Sequence, residues 1–301
     1  MIFTERVILG LDASTSLADA NYDGKINMQD VTQLELIILG RESVLTFIDS
    51  ADRIVTVNKP VKRVVILSPD EYQVLRVLGA DDKIVGITAE VERDWDWLIG
   101  EEIPLVGTRY NPEPDLVIGE GCTIETKLEG KIPGPMVALG FASIEILDDE
   151  LPKLGYILSK QDIVEDYFSN FHDKYVNMIK ARITALPDDE RPKVYVGWGT
   201  LGYGGYYDVY FGDAHAVKHL IETAGGKYLF EDLPGWGGEV DPEELITRGP
   251  DMAFYDIRYP NAGYAVDDIS NAKAMREEIM DELAGVTAVE NGSVYMQYGR
   301  I

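Results

Sequence analysis

A chain of 301 residues, 46% hydrophobic and 10% aromatic, can build two packed α/β lobes and is too apolar for a disordered polymer. Its 53 Asp and Glu against 27 Lys and Arg give a formal net charge of −26, which disfavours nucleic acid and anionic lipid as partners and favours cations and basic surfaces. The one cysteine, Cys122, excludes an internal disulfide and a cysteine-built zinc site, and no apolar run approaches the roughly 20 residues that cross a bilayer, so membrane insertion is not expected; a monomer is expected.

The opening "MIFTERVILG" is too short and too charged to read as an export signal. At residues 19–30 stands "DANYDGKINMQD", a twelve-residue loop with oxygen-bearing side chains at alternate positions. Asp19, Asn21, Asp23, Asn27 and Asp30 would offer side-chain oxygens to one hard cation and Lys25 its carbonyl, while Gly24 permits the sharp turn. Calcium is the expected ion, although position 12 is Asp where the EF-hand pattern has Glu; the alternative is a plain Asx-rich turn. A helix follows in "VTQLELIILG" (31–40), whose ending matches that of residues 1–10: Glu5/Glu35, Val7/Ile37, Ile8/Ile38, Leu9/Leu39 and Gly10/Gly40. That is one repeat with a period of thirty residues. A D-x-N-x-D-G-x-I-N-x-x-D loop with a duplicated helix ending in Leu-Gly resembles a dockerin module, here with the first repeat represented by its helix alone. The resemblance implies a structural Ca2+, a cohesin-type partner engaged through residues 1–43, and recognition through Met28 and Gln29; a plain solvent-exposed helix start is the competing reading of those two.

From about Thr46 the texture changes. Strands are predicted at Val64–Leu67, Ile84–Ile87, Leu116–Ile118, Met136–Ala138, Lys193–Val196, Met252–Tyr255 and Val294–Met296, after an opening strand pair, with helices between them. This alternation specifies an α/β fold with mostly parallel sheets. At 161–186 Val164, Phe168, Phe171, Tyr175, Met178 and Ile179 recur at helical spacing; one helix of that length would run roughly 39 Å. His172 on this helix is expected to be solvated. The expected organisation is a partial dockerin-like module (1–43), an N-terminal α/β lobe (44–160), a rigid linking helix (161–187) and a C-terminal α/β lobe (188–301).

Two Rossmann-like lobes joined by one long helix resemble the substrate-binding proteins of ABC importers for metal chelates, cobalamin and haem (periplasmic binding proteins, class III). The local matches are "RVVILSPDEYQVLRVLGADDKIVGIT", "EPDLVIG", "AVKHLIETAGGKYLFEDL" and "EVDPEELITRGPDMAFYD", in that order. The resemblance implies a chelate (an iron-siderophore, a corrinoid or haem) held between the lobes and delivered to an ABC permease. It also implies a permease contact at Glu243, with Glu113 a substitute in the abbreviated "TRYNPEPDLVI", and an extracellular or cell-surface location. The chain stops at "VYMQYGRI", where the family usually continues into helices.

Ligand contacts are expected from loops after the strands. Trp198, Tyr203, Tyr206 and Tyr207 lie in "GWGTLGYGGYYDVYFGDAH", Trp236 in "LPGWGGE", Arg258 and Tyr259 in "YDIRYPNAGY", Arg109 and Tyr110 in "VGTRYNP", and Trp95 in "RDWDWL". Glycines among rings suit a large planar ligand, and Arg suits its carboxylates. His215, four residues before His219 on one helix face, is a possible metal or axial ligand, with a structural His as the alternative. No G-x-S-x-G, H-E-x-x-H or P-loop is present, so catalysis is not expected. A dockerin-bearing hydrolase and a surface adhesion or scaffold protein remain the alternatives to a solute binder.

Overall fold

The computed structural model describes residues 1–95, 99, 103–106, 112–120, 132, 134–141, 144–198, 207–212, 215–256 and 269–297. The chain forms two compact units, Met1–Ser169 and Asn170–Ile301.

Unit 1 begins with two short helices, α1 (Ile2–Ile8) and α2 (Met28–Ile38), packed on one another. Their ends are copies. Leu9 and Leu39 N–H groups donate to Glu5 and Glu35 carbonyls (3.0 Å each), and Gly10 and Gly40 leave the helix at φ +69° and +61°. Glycine suits this left-handed exit because it has no Cβ to clash, so the thirty-residue repeat is a repeat of structure. The pair is joined to the following lobe by contacts: Ile37 packs on the main core, Gln33 donates to the Val44 carbonyl (3.0 Å), and buried Glu42 pairs with Lys59.

A hairpin of β1 (Val44–Ile48) and β2 (Ile54–Asn58) leads into a parallel sheet of β3 (Val64–Ile66), β4 (Ile84–Ile87), β5 (Leu116–Gly119) and β6 (Met136–Ala138), in the order β4-β3-β5-β6. Every residue of β3 and β5 is buried, as expected where helices cover both faces. The helices are α3 (Pro69–Val77), α4 (Ala89–Trp95), α5 (Ile144–Leu158) and α6 (Gln161–Tyr167). The core gathers Val64, Ile66, Leu75, Leu116, Val137 and Leu154.

After α6 the helical path passes through a π-turn, Phe168–His172, before α7 (Asp173–Ile183). The predicted single rigid helix therefore has a wide turn inside it, and the unit boundary falls there. The apolar stripe is not the buried side of α7: Phe171, Tyr175 and Met178 are exposed, whereas Val176 is buried. His172, expected in solvent, is buried with Nδ1 3.3 Å from Asp173; the extra residue of a π-turn rotates the side chains that follow.

Unit 2 holds β7 (Lys193–Trp198), β8 (Tyr207–Tyr210), β9 (Lys227–Tyr228), β10 (Gly237–Val240), β11 (Met252–Asp256) and β12 (Val294–Gln297). Its helices are α8 (His215–Thr223), α9 (Pro242–Arg248), α10 (Ile269–Glu282) and α11 (Thr287–Glu290). The sheet order is β10-β8-β7-β11-β12, with β9 also pairing with β7; β7, β9, β11 and β12 are parallel, while β8 and β10 are antiparallel additions. All seven strands predicted by apolar runs are present, and β8, β9 and β10 are unpredicted. Around Gly226 the packing leaves no room for a side chain, since a Cβ would lie 2.7 Å from Val194 and 2.9 Å from Ile221. The glycine lets α8 seat directly on β7.

Candidate functional site

Open parallel sheets receive ligands outside the carboxyl ends of their strands, at the point where strand order reverses. In unit 1 that point lies between β3 and β5, because the chain steps from β3 to β4 on one side and then to β5 on the other. The edge there is built from Leu67 and Ser68 after β3, Thr88 after β4 and Glu120 after β5. Thr88 donates to the Leu67 carbonyl (2.9 Å), and the Leu67 N–H donates to Ile118 (2.9 Å), which fixes the β3 exit.

One end of this edge is latched. Buried Asp49, in the turn between β1 and β2, accepts the Ala138 N–H (3.0 Å) at the end of β6 and pairs with Arg53 (2.7 Å). Burial works to raise its pKa, but these bonds outweigh burial and hold the carboxyl below the usual carboxylate range. The β3 exit, inside the sheet, is built differently. Ser68 and Glu71 stand three apart at the start of α3, the spacing of a capping box. The box is not closed: Ser68 makes no cap bond, and neither oxygen of Glu71 is in hydrogen-bond geometry with a donor. Glu71 is fully buried, and its pKa is raised to about 8, chiefly by burial. Its own N–H and the Ser68 hydroxyl favour the charged form, while Glu120 and Asp70 oppose it.

In unit 2 the corresponding edge begins at Trp198, Asp256 and Gln297, the ends of β7, β11 and β12. Tyr207 opens β8 rather than lying in a loop, because "YDVY" pairs antiparallel with "GGEV" of β10. Trp236 precedes β10 at the end where Gly237 meets Tyr210, while the Tyr207–Val240 end lies beside the carboxyl end of β7. Trp236 is 63% exposed and meets Tyr210 edge-on at 5.2 Å. Trp95, Trp198, Tyr207 and His215 lie in described helix or strand backbone, but their side chains are outside the described residues. Arg109, Tyr110, Tyr203, Tyr206, Arg258 and Tyr259 lie wholly outside them. An apolar depression of about 240 Å³ between α8 and the sheet, lined by Val194, Leu220 and Phe254 among others, is on a sheet face and not at this edge.

The two residues expected to meet a permease are both exposed. Glu243 occupies the first turn of α9, its N–H held by the Asp241 cap (2.7 Å). Glu113 precedes β5, its carbonyl accepting from Arg63 (2.9 Å).

The front-end loop closes on its own backbone. Asp19 accepts from Asp23 and Gly24 N–H (3.1 and 2.9 Å), Asn21 from Asp23 (3.0 Å), and Asp23 from Lys25 (2.9 Å). Asn27 and Asp30 form a complete capping box for α2, and buried Asp30 also accepts the Asn21 N–H (3.3 Å). This is an Asx-turn loop whose shape is fixed by N–H donors. Among the described residues no group of three or more His, Cys, Asp or Glu is gathered for a metal. Beside the loop a shallow depression of about 420 Å³ is lined by Asn21, Met28, Gln29, Thr32 and Gln33.

Residues 64–297 match the model of the periplasmic binding protein family. An uncharacterized lipoprotein of Methanocaldococcus jannaschii is 23% identical over 231 residues, 68% of this chain and 54% of the relative. The chain thus spans about half the length of that curated relative. Among solved structures, the TroA-like periplasmic binding protein FepB of Veillonella parvula superposes with TM-score 0.66 at 18% identity, covering 84% of each chain. The petrobactin-binding protein YclQ of Bacillus subtilis superposes with TM-score 0.63 at 20% identity, covering 85% of this chain and 90% of that one. At these identities the likeness is one of fold.

Proposed function

The chain belongs to the periplasmic binding protein family, and from that premise we propose that it is a non-catalytic extracellular solute receptor that hands a metal chelate, of the ferric siderophore class, to an ABC importer. The observation that carries the reading is the family match across 64–297 on two α/β units. The likeness to a petrobactin-binding protein supports a siderophore ahead of a corrinoid or haem. The relative described as a lipoprotein supports a location outside the cytoplasm. In this reading Trp198 and Tyr207 face the ligand from the carboxyl edge of unit 2. Arg109 and Arg258 neutralise its acid groups, and exposed Glu243 and Glu113 meet the permease.

Tryptophan fluorescence is titrated with ferric petrobactin, a ferric hydroxamate, cobalamin and haem, with correction for absorption. Saturable quenching by a ferric siderophore at micromolar concentration or below, weakened at least tenfold in Trp198→Ala, is expected. Silence towards both ferric compounds rejects the siderophore assignment.

The front-end pair of helices is read as a dockerin-like docking element that tightens on calcium. The spacing of Asp19, Asn21, Asp23 and Asp30 and the copied helix ends support this reading. A calorimetric titration with Ca2+ should give a one-site isotherm that Asp19→Ala together with Asp23→Ala removes; no heat in the unaltered protein leaves an Asx-turn loop only.

A further inference from the structure

Glu71 is a completely buried titratable group of unit 1 that the functional reading above does not use. Its side chain is 0% exposed and neither oxygen is hydrogen-bonded. It sits in the first turn of α3, one turn beyond the β3 exit, at the point where the strand order reverses. A carboxylate left ionised there would be buried without compensation, which is costly, and the group escapes that cost by holding a proton.

The surroundings add to this. Asp70 on the same turn and Glu120 beyond β5 are the charged groups that act on Glu71, and both are acidic. The Ser68 hydroxyl is the polar neighbour from the β3 exit. Among the described side chains, helix α4, packed on α3, brings the exposed charges Glu90, Glu92 and Arg93, and β3 and β5 bring none. Charge at the carboxyl edge therefore acts on the buried carboxyl.

We propose that Glu71 is a proton-storing residue that reads the charge at the carboxyl edge of unit 1: it keeps its proton while the acidic Asp70 and Glu120 act on it, and gives it up when positive charge arrives. The consequence for transport rests on the solute-receptor reading. A cationic centre seated at this edge releases a proton into solvent, and an anionic one tightens the proton's hold. Ligand preference then shifts with pH, with cationic cargo favoured as pH rises.

The test uses the full-length, ligand-free protein, so its failure is distinct from failure of the siderophore assignment. Glutamate side chains are labelled with carbon-13 at the carboxyl, Glu71 is identified by its absence in Glu71→Gln, and the signal is followed from pH 4 to 10. The expected midpoint is near 8. It should fall by several tenths of a pH unit in Glu120→Gln and again in Asp70→Asn, each of which removes one like charge. A midpoint in the ordinary carboxylate range overturns the proposal. So does a high midpoint that neither substitution moves, because Glu71 would then be buried but deaf to the edge. If Glu120→Gln unfolds, Asp70→Asn alone decides.

Discussion

The starts of α2 and α3 are spelled alike and solved differently. Asn27–Met28–Gln29–Asp30 and Ser68–Pro69–Asp70–Glu71 each place a capping residue three positions before an acid, and both acids are completely buried. At α2 the cap closes: Asn27 accepts the Gln29 N–H (2.8 Å) and Asp30 accepts the Asn27 N–H (2.7 Å). At α3 neither half forms, and burial raises the acid's pKa to about 8. Burial alone therefore does not decide what a carboxyl does; the number of donors aimed at it does. The first arrangement closes a loop on its own backbone, and the second leaves a titratable group beside the carboxyl edge of the sheet.

Substitutions should separate the two starts in order of size. Asp30→Ala strips the acceptor from two N–H groups in a buried setting and should lower stability by about 2–3 kcal/mol, read by chemical denaturation and by faster amide exchange along α2. A loss below about 1 kcal/mol would mean that the loop does not depend on this acid. Glu71→Gln tests the opposite sign. The native pKa, raised to about 8, lies above the unfolded value. The native state thus holds the proton more tightly, and stability falls as pH rises from the unfolded pKa through about 8. Glu71→Gln should remove that decline and be the more stable protein at pH 9, by on the order of 1–3 kcal/mol, with little gain at pH 5. A parallel pair of stability–pH curves would contradict it. Asn27→Ala should cost about 1 kcal/mol, visible as fraying of the first turn of α2. Ser68→Ala, which removes a hydroxyl that caps nothing, should cost less than about 0.5 kcal/mol in thermal melts near neutral pH.

Much of this frame was legible in the amino-acid sequence, for a physical reason. The strands at Val64, Ile84, Leu116, Met136, Lys193, Met252 and Val294 are apolar runs bounded by turn-forming residues, and a buried parallel strand must read that way. β8 and β10 escaped because tyrosines and glycines in "YDVY" and "GGEV" suit a ligand loop as well as an edge strand. The stripe through Phe171, Tyr175 and Met178 marked one long helix, but a π-turn at Phe168–His172 lies within it and those three side chains are exposed. Nothing in "SPDEYQ" announces that Glu71 is sealed. Its burial is imposed by long-range packing around α3, whereas the Asx ladder from Asp19 to Asp30 is short-range and could be read directly. The residues expected to grip the ligand are largely those beyond the described part of the molecule, and Trp236 is on the end of β10 away from the carboxyl edge of β7.

The join between the front helices and the lobe has a mechanical consequence. Ile37 is set in the lobe's core, Gln33 holds Val44, and the Lys59 N–H is bonded to the Ser43 carbonyl (2.9 Å) where β2 ends beside the start of β1. A pull on α2 from a surface partner would reach the β1–β2 hairpin at its open end, where the ladder bonds would part in turn, so the contacts of Ile37, Gln33 and Glu42 with the lobe must carry the load first. An anchor mounted this way behaves as a bracket rather than a string, and it would hold unit 1 in a set attitude to whatever it is fastened to.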